Sequence, residues 1–430
     1  MTVTHPIFTT AVRGCLLIVG CVPIMGCSEG VPQFPNNRVY AMALERETGS
    51  PAERAIEDTE SITNQWFGTP DQPQWPESSS ANESSGANDL PSLDTFLSKG
   101  RLDRAAGPVF SDRQGIQHGL YREHCAVCHG VSGSGTGPAA SFMNPYPRDF
   151  RTGVFKFKST VRGAKPTRAD LASTLLHGIR GTAMPSFRLL PTDDLEALIE
   201  YTIYLSIRGE FERRLLSEAM RELGYGAKPQ PLRDQLLAEE LRVTEPLAYN
   251  SQISWIKSQA SQLLEAWNHA AIEISAVPAP QVPLVTETDR TDLALAESIA
   301  RGQMLFRGPV ANCATCHGAT GAGDGLAKDY DEWTKEWTLR TGLSPGDNIG
   351  LKPFRRVGAL QPRNVQPRNL QLGVYRGGDH PDDIYRRITI GIEGTPMPAI
   401  NLINEASPSG ATSNQVWDLV NYVMSLDERN

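Results

Sequence analysis

Outside its N-terminal segment and two short motifs, the sequence has no cysteine. Of seven cysteines in 430 residues, three lie at or before Cys27 and four lie in the motifs at 125–129 and 313–317. Beyond the N-terminus, no apolar run approaches the roughly eighteen residues that a membrane-spanning helix needs. A net charge of -8 disfavours nucleic-acid binding, which requires a basic face. The mature chain is therefore predicted to lack structural disulfides, transmembrane helices and a nucleic-acid surface.

The first 27 residues have the pattern of an export signal. Arg13 precedes an apolar run from Cys15 to Val22, and Ile24-Met25-Gly26-Cys27 resembles the lipobox of bacterial lipoproteins. Residues 1–27 are thus expected to be a signal peptide that ends at the lipid-attachment residue Cys27. Secretion by cleavage near Gly26 without lipid is the alternative. Either path places the chain on the periplasmic side of a bacterial membrane, with a lipid anchor in the first case.

Residues 28–105 contain few large apolar residues and a run rich in Pro, Ser and Asn at 69–86. Such a composition buries too little surface to offset the entropy lost on ordering. The segment is therefore predicted to be a disordered low-complexity tether. As a flexible coil, a segment of this length has a root-mean-square end-to-end distance of about 50 Å.

Two five-residue motifs carry the chemistry. Each is a Cys-x-x-Cys-His run, the pattern typical of c-type haem attachment. Two thiols on one turn can form thioethers with the haem vinyl groups, and the adjacent imidazole then lies under the iron. A zinc site built from both Cys pairs, or a thioredoxin-like redox pair, is the simpler alternative. The predicted haem-binding residues are Cys125, Cys128, His129, Cys313, Cys316 and His317.

The two motifs belong to an internal repeat that covers 106–210 and 288–430. In each half a predicted leading helix (Gln114–His124 or Leu293–Phe306) precedes the motif, and a last helix (Thr192–Ser206 or Ser413–Leu426) follows it. Between the Cys-x-x-Cys-His motif and the last helix, each half carries a Pro-Arg pair and then the run Gly-Ile-x-Gly-Thr-x-Met-Pro. A repeat of this extent indicates duplication of one domain. The matching positions include Arg148 with Arg368, and Met184 with Met397.

Residues 211–287 connect the halves and are predicted to be largely helical. Apolar spacing favours helices at Phe211–Leu223, Leu232–Val243 and Ser251–Ile274, followed by a stiff proline-rich spacer at 276–283. The second half also carries an aromatic-rich insertion around 330–350. Either a docking surface or a lid over the cofactor is compatible with that composition.

Each half resembles a class I c-type cytochrome domain, and the whole resembles exported dihaem cytochromes c. The resemblance implies a mainly α fold in which the first and last helices cross, and two covalently bound haem c groups. It further implies Met184 and Met397 as sixth iron ligands, opposite His129 and His317. A carbonyl near Pro138, or at Leu326 in the second half, is expected to accept from the ligand imidazole.

Other residues offer alternatives or additions to this ligand set. His177 precedes Met184 by seven positions, but its equivalent is Ile390, so the repeat does not support ligation by two histidines. Arg148 and Arg368 are candidates for pairing with haem propionates, with ordinary surface arginines as the alternative.

Iron held on both sides by protein has no vacant position for a substrate, which leaves one-electron transfer and no catalytic residue. The expected partners are redox proteins: a membrane reductase, a terminal oxidase or another periplasmic cytochrome. The alternatives are a haem enzyme such as a dihaem peroxidase, with one labile sixth ligand, and a haem subunit of a larger oxidoreductase. In all three cases the expected cofactor is two haem c groups.

Overall fold

The computed structural model describes residues 1–2, 32–75, 96–228, 230–403 and 409–427. These residues are mainly α-helical, and within them no helix is both long and apolar enough to cross a bilayer. The helices are α1 (Arg38–Thr48), α2 (Glu53–Phe67), α3 (Lys99–Ala105), α4 (Leu120–His124), α5 (Ala126–His129), α6 (Arg168–His177), α7 (Thr192–Arg221), α8 (Glu239–Thr244), α9 (Pro246–Asn268), α10 (Leu293–Arg307), α11 (Ala314–His317), α12 (Glu332–Thr341), α13 (Lys352–Arg356), α14 (Pro381–Ile390) and α15 (Ser413–Ser425). Two antiparallel pairs join β1 (Phe110–Ser111) to β2 (Gln117–His118) and β3 (Asp329–Tyr330) to β4 (Asn364–Val365). Short 3-10 helices lie at Ala140–Phe142, Phe150–Thr152, Leu232–Asp234, His269–Glu273 and Leu370–Leu372.

The second half is framed by the crossing of α10 and α15, the two helices predicted for it. Gly302 allows their close approach, because a Cβ there would lie 2.0 Å from the carbonyl oxygen of Asp418. The buried carboxylate of Asp418 is satisfied by the hydroxyl of Ser298 at 2.6 Å and by both Nε and Nη2 of Arg301 at 2.9 Å. A buried charge costs several kcal/mol unless it is paired in this way, so the crossing point is specific. These two predicted helices are confirmed.

In the first half the leading helix is α3, which packs against α7, and the prediction of a helix at Gln114–His124 is wrong. Only Leu120–His124 is helical; the residues before it form the β1–β2 hairpin. Gly115 and Gly119 adopt φ of +80° and +73°, outside the helical region. The side chain of Asp112 also accepts from two amides of the turn, 2.9 Å away. The helix that packs against α7 thus lies at 99–105, just before the predicted start of the first domain.

Helix α7 merges two helices that the sequence analysis kept separate. It runs unbroken for 30 residues, from Thr192 through the expected break at 207–210. Gly209 lies in its middle, where a Cβ would come within 2.4 Å of the Cβ of Arg151. An internal glycine destabilises a helix by about 0.5–1 kcal/mol relative to alanine. Here it allows the loop that carries Arg151 to pack closely against α7. The last helix of the first domain and the first helix of the connecting segment are therefore one rigid element.

The tether prediction is wrong for residues 32–75 and 96–105. Helices α1 and α2 pack against α7 and join the core of the first domain. Phe67 is fully buried, with its ring centroid 5.3 Å from those of Trp75 and Phe211 and 6.0 Å from that of Tyr204. A few large aromatic side chains thus anchor a segment whose average composition is polar. Most of the predicted signal peptide, including Cys27, and most of the Pro/Ser/Asn-rich run lie outside the described residues.

The segment between the domains is helical, as predicted, but its boundaries shift. Helix α9 ends at Asn268 and continues as a 3-10 turn, where the prediction had one helix to Ile274. The proline-rich spacer lies against α15, since the Trp417 indole donates to the oxygen of Pro278 at 3.1 Å and the Asn421 amide to that of Pro283 at 2.8 Å. The connection is consequently attached to the second domain along its length.

The aromatic-rich insertion of the second half packs against the N-terminal helix α1 and contacts helix α7. Its helix α12 packs against α1, and its Trp337 stacks on Phe354 with ring centroids 5.2 Å apart. Glu336 pairs with Arg213 of α7, whose guanidinium lies 3.8 Å from the ring centroid of Tyr40. The N-terminal helices therefore contact both domains and hold them in one arrangement.

Candidate haem-binding sites

Both Cys-x-x-Cys-His motifs fold into the same short helix. The amide of His129 donates to the oxygen of Cys125 at 2.8 Å, and that of His317 to the oxygen of Cys313 at 2.9 Å. Gly130 and Gly318 then end the turn with φ of +72° and +77°. The turn brings both thiols and the imidazole of each motif together, as thioether attachment requires.

No disulfide joins any of the four motif cysteines. Burial raises the pKa of Cys125 to about 12 and that of Cys313 to about 11, so these thiols stay protonated at neutral pH. Within the described residues, no group of three or more His, Cys, Asp or Glu side chains is placed to hold a metal ion. The two pairs therefore do not form the shared zinc site that was the alternative.

Each motif histidine is oriented by a backbone carbonyl. Nδ1 of His129 lies 2.9 Å from the oxygen of Arg148, and Nδ1 of His317 lies 3.0 Å from that of Arg368. Since a carbonyl can only accept, Nδ1 carries the proton and Nε2 keeps a lone pair that can bind a metal. Burial lowers the pKa of both imidazoles, against the opposite effect of the carbonyl bond. The neutral form is the one that binds a metal.

The acceptors differ from those expected, and the prediction of Pro138 and Leu326 is wrong. The loop around Pro138 instead folds back on the motif helix, where the amides of Gly137 and Ala139 donate to the oxygens of Cys128 and Val127 at 3.0 Å. In the second half Ala327 donates to Thr315 at 3.1 Å. Both observed acceptors are the carbonyl of the arginine in the repeated Pro-Arg pair. This repeated pair is the sequence feature that could have predicted them.

A 3-10 turn after each arginine fixes the carbonyl in place. The side chain of Asp149 caps the first turn, and Phe150 donates its amide to the oxygen of Gly133 at 2.7 Å. Asn369 and Leu370 repeat this geometry, with Leu370 donating to Gly321 at 2.7 Å. One difference separates the sites. The ring of Phe150 stacks on His129 with centroids 4.5 Å apart, whereas Leu370 holds the equivalent position.

The two methionine loops have the same hydrogen bonds. In the first, Ile179 donates its amide to the oxygen of Met184 at 3.1 Å, Met184 donates to the hydroxyl of Thr182 at 3.1 Å, and this hydroxyl donates to Ile179 at 2.7 Å. Gly178 precedes the loop with φ of +64°. The second loop repeats these bonds at 3.2, 3.2 and 2.7 Å in Ile392, Thr395 and Met397. Both methionines are half-buried on loops of the same shape.

His177 lies on the surface at the end of α6, and its Nδ1 is 3.0 Å from the oxygen of Ser173 in the preceding turn. It is placed as a helix-end residue, so the structure gives no support to ligation by two histidines.

Positive charge gathers around the loops that carry the two carbonyl acceptors. Arg368 and Arg376 are half-buried, and within the described residues the Nε atom of each is buried without a hydrogen-bond acceptor. A buried guanidinium nitrogen of this kind requires an anionic or polar partner. A haem group carries two carboxylates, so this donor set fits haem.

Two family models match the regions that carry these sites. The model described as cytochrome c oxidase, cbb3-type, subunit III matches residues 117–201, and the cytochrome c model matches residues 299–427. Both regions are cytochrome c domains. Such domains imply covalently bound haem c and haem-based electron transfer, and proteins that carry them are typically exported. Both Cys-x-x-Cys-His motifs and both methionine loops lie within the matched regions.

Similarity beyond these domains is limited. No significant match was found among curated proteins. Among solved structures, the reducing HAO-like protein complex Kustc0457/Kustc0458 of Kuenenia stuttgartiensis is similar at 22% identity, over 72% of this chain and 94% of that one, with a TM-score of 0.42. This TM-score marks a loose likeness, which supports no statement about function.

Proposed function

We propose that this protein is a dihaem electron carrier that relays single electrons between redox proteins on the periplasmic side of a bacterial membrane. Cys125 and Cys128 attach one haem and Cys313 and Cys316 the other. His129 with Met184, and His317 with Met397, would bind the iron of the two haems. Haem held in this way supplies a reversible one-electron couple.

One observation carries this proposal: the same hydrogen bonds orient the imidazole and the methionine loop in both halves. The carbonyls of Arg148 and Arg368 fix the tautomer of each histidine, at 2.9 and 3.0 Å. The paired loops place Met184 and Met397 at matching positions between the motif and the last helix. An enzyme with one open haem needs two unlike sites, whereas two alike sites suit a carrier.

The methionine ligand also affects the reduction potential of each haem. A thioether is a weak donor to ferric iron, so it stabilises the reduced form and raises the reduction potential. The half-buried cations beside both sites act in the same direction, because they offset the negative charge that reduction adds. A terminal oxidase is therefore a more suitable acceptor than a low-potential reductase.

Membrane attachment belongs to the proposal through Cys27. Lipidation there anchors the chain by acyl chains alone, which suits a carrier that must reach a membrane partner.

A spectrum and a peroxidase assay test this function together. The purified oxidised protein is expected to show two low-spin haems and no turnover of peroxide. A high-spin haem with peroxide turnover identifies an enzyme instead. Copurification with other subunits from gently solubilised membranes identifies the haem subunit of a larger oxidoreductase.

A further inference from the structure

The arginine that serves each histidine reaches across to the other domain. A Cβ placed on Gly394, in the second methionine loop, would lie 2.6 Å from Nη2 of Arg148. In the reciprocal contact, a Cβ on Gly181 of the first loop would lie 2.9 Å from Nη2 of Arg368. The glycines thus leave room for guanidinium groups from the opposite domain. The backbone of each arginine orients a histidine in its own domain, and its side chain lies at the methionine loop of the other.

A second pair of cations follows the same repeat. Lys156 lies eight residues after Arg148, and Arg376 lies eight residues after Arg368. Nη2 of Arg376 donates to the oxygen of Gly181, across the domain boundary, at 3.2 Å. The interface cations, meaning Arg148, Lys156, Arg368 and Arg376, therefore comprise two equivalent pairs at one junction.

These four side chains are half-buried. Burial, and then the charge of Arg148, lowers the pKa of Lys156 to about 8. Burial, and then the charge of Arg368, lowers the pKa of Arg376 to about 10. Like charges held together in this way require anions nearby.

The surrounding carboxylates mostly serve other cations. Glu393 pairs with Lys158 at 2.5 Å, Asp379 pairs with Arg180, and Asp149 pairs with Arg151 at 2.9 Å. Asp331 faces Lys156 and Arg148. The buried Nε atoms of Arg368 and Arg376 still lack acceptors within the described residues. Two haems would bring four carboxylates as acceptors for these donors.

We propose that the interface cations form a single anion compartment that receives the propionates of both haems, so that each haem is held partly by the opposite domain. This inference rests on the proposed haem binding. It assigns Arg148 to the second site and Arg368 to the first, as positioning residues. Each haem's potential then depends on side chains from both halves, and the two sites respond to one another.

Redox titration of the full-length holoprotein tests the compartment. Arg148→Gln and Arg368→Gln should each lower both midpoint potentials, by about 59 mV, a tenfold change in a one-electron equilibrium. Arg148→Lys and Arg368→Lys keep the charge and should largely restore both values. Arg242→Gln on α8, a highly exposed side chain that pairs with Glu239, removes the same charge and should leave both potentials unchanged. A shift of only one haem, or of neither, overturns the proposal.

A second variant separates this effect from disturbance of the histidines. Arg376→Gln should also lower both potentials, although the backbone of Arg376 holds neither imidazole; an unchanged pair of values contradicts the compartment. Spectra recorded on every variant, which report the spin state of the iron, separate a failure of the compartment from a failure of the proposed function. Unmoved potentials with intact axial ligation reject the compartment alone, whereas a high-spin wild-type protein rejects the proposed function.

Discussion

The backbone oxygen of Arg148 lies 2.9 Å from Nδ1 of His129, nineteen residues earlier in the chain. In the second half the same contact, Arg368 to His317, spans 51 residues. The insertion therefore lengthens the loop between the histidine and its acceptor without altering this hydrogen bond. Its helix α12 packs against α1, and α13 contacts α12 through the stacked rings of Phe354 and Trp337.

The glycine that begins each methionine loop should be intolerant of a side chain. Gly178 and Gly391 have φ of +64° and +71°, and a Cβ would lie 2.7 and 2.8 Å from the oxygen of Met184 or Met397. Alanine at either position should displace that methionine and cost roughly 1–3 kcal/mol. Thermal unfolding and the sulfur-to-iron charge-transfer band measure both effects.

Gly346→Ala is the matched control for these loops. A Cβ there meets only the hydroxyl of Ser344, at 3.8 Å. Stability should change by less than about 0.5 kcal/mol and the band should remain. If alanine at Gly178 and Gly391 is equally harmless, the loops do not position the methionines as described.

The N-terminal helices should contribute to the stability of the first domain. Phe67→Ala removes a fully buried ring and should cost about 3–5 kcal/mol, measured as the denaturant midpoint. Phe142→Ala, at a ring that is 88% exposed, should change it by less than about 0.5 kcal/mol. If both substitutions have equally small effects, the N-terminal helices do not stabilise the first domain and the segment acts as a tether.

Glu47 on α1 pairs with Arg221 on α7 and with Arg340 on α12. We therefore expect the stability of the fold to decrease in acid. Burial acts to raise the pKa of Glu47, but hydrogen bonds from Arg221 and Arg340 outweigh it and hold the pKa below 4.5. Because the folded pKa is depressed, the stabilisation is present above pH 4.5 and is lost as pH falls through the folded value. Thermal unfolding should show Glu47→Gln less stable than wild type near pH 7, with the difference vanishing in acid.

Glu57→Gln provides the comparison for that series, because Glu57 is an exposed residue of α2. It should match wild type across the same pH range. A Glu47→Gln deficit that persists at low pH would mean that packing, and not the ion pairs, accounts for the effect.

Lipid attachment at Cys27 predicts where the protein is found. Wild type should carry a lipidated N-terminal cysteine by mass spectrometry and sediment with membranes. Cys27→Ser should release the chain in soluble form, while Cys21→Ser, within the proposed signal, should leave it membrane-bound. Soluble wild-type protein with an unmodified N-terminus would favour plain secretion.

The parts of the fold set by local pattern were predictable from sequence. Helices α10 and α15 have clear apolar spacing and side-chain caps at Asp292 and Thr412, so their limits shift by one residue at most. The repeated Met-Pro loops were equally visible, because both copies carry the same residues. Their roles as iron ligands stay predictions.

The parts set by distant contacts were not predictable. Residues 32–75 look polar on average, yet Phe34, Tyr40, Phe67 and Trp75 are buried by partners more than a hundred residues away or in the neighbouring helix. Helix α7 runs unbroken through Gly209, where Arg151 packs closely, and no local pattern shows this contact. The reciprocal arginines lie in the repeat itself, but only the arrangement of the two domains relates each to the opposite loop.

Replacement of the two methionines tests the central claim most directly. The oxidised wild type should show the sulfur-to-iron charge-transfer band; Met184→Ala and Met397→Ala should each remove about half of it and the double variant all of it, each with a fall in one midpoint potential. A band and potentials that survive the double substitution would contradict the account.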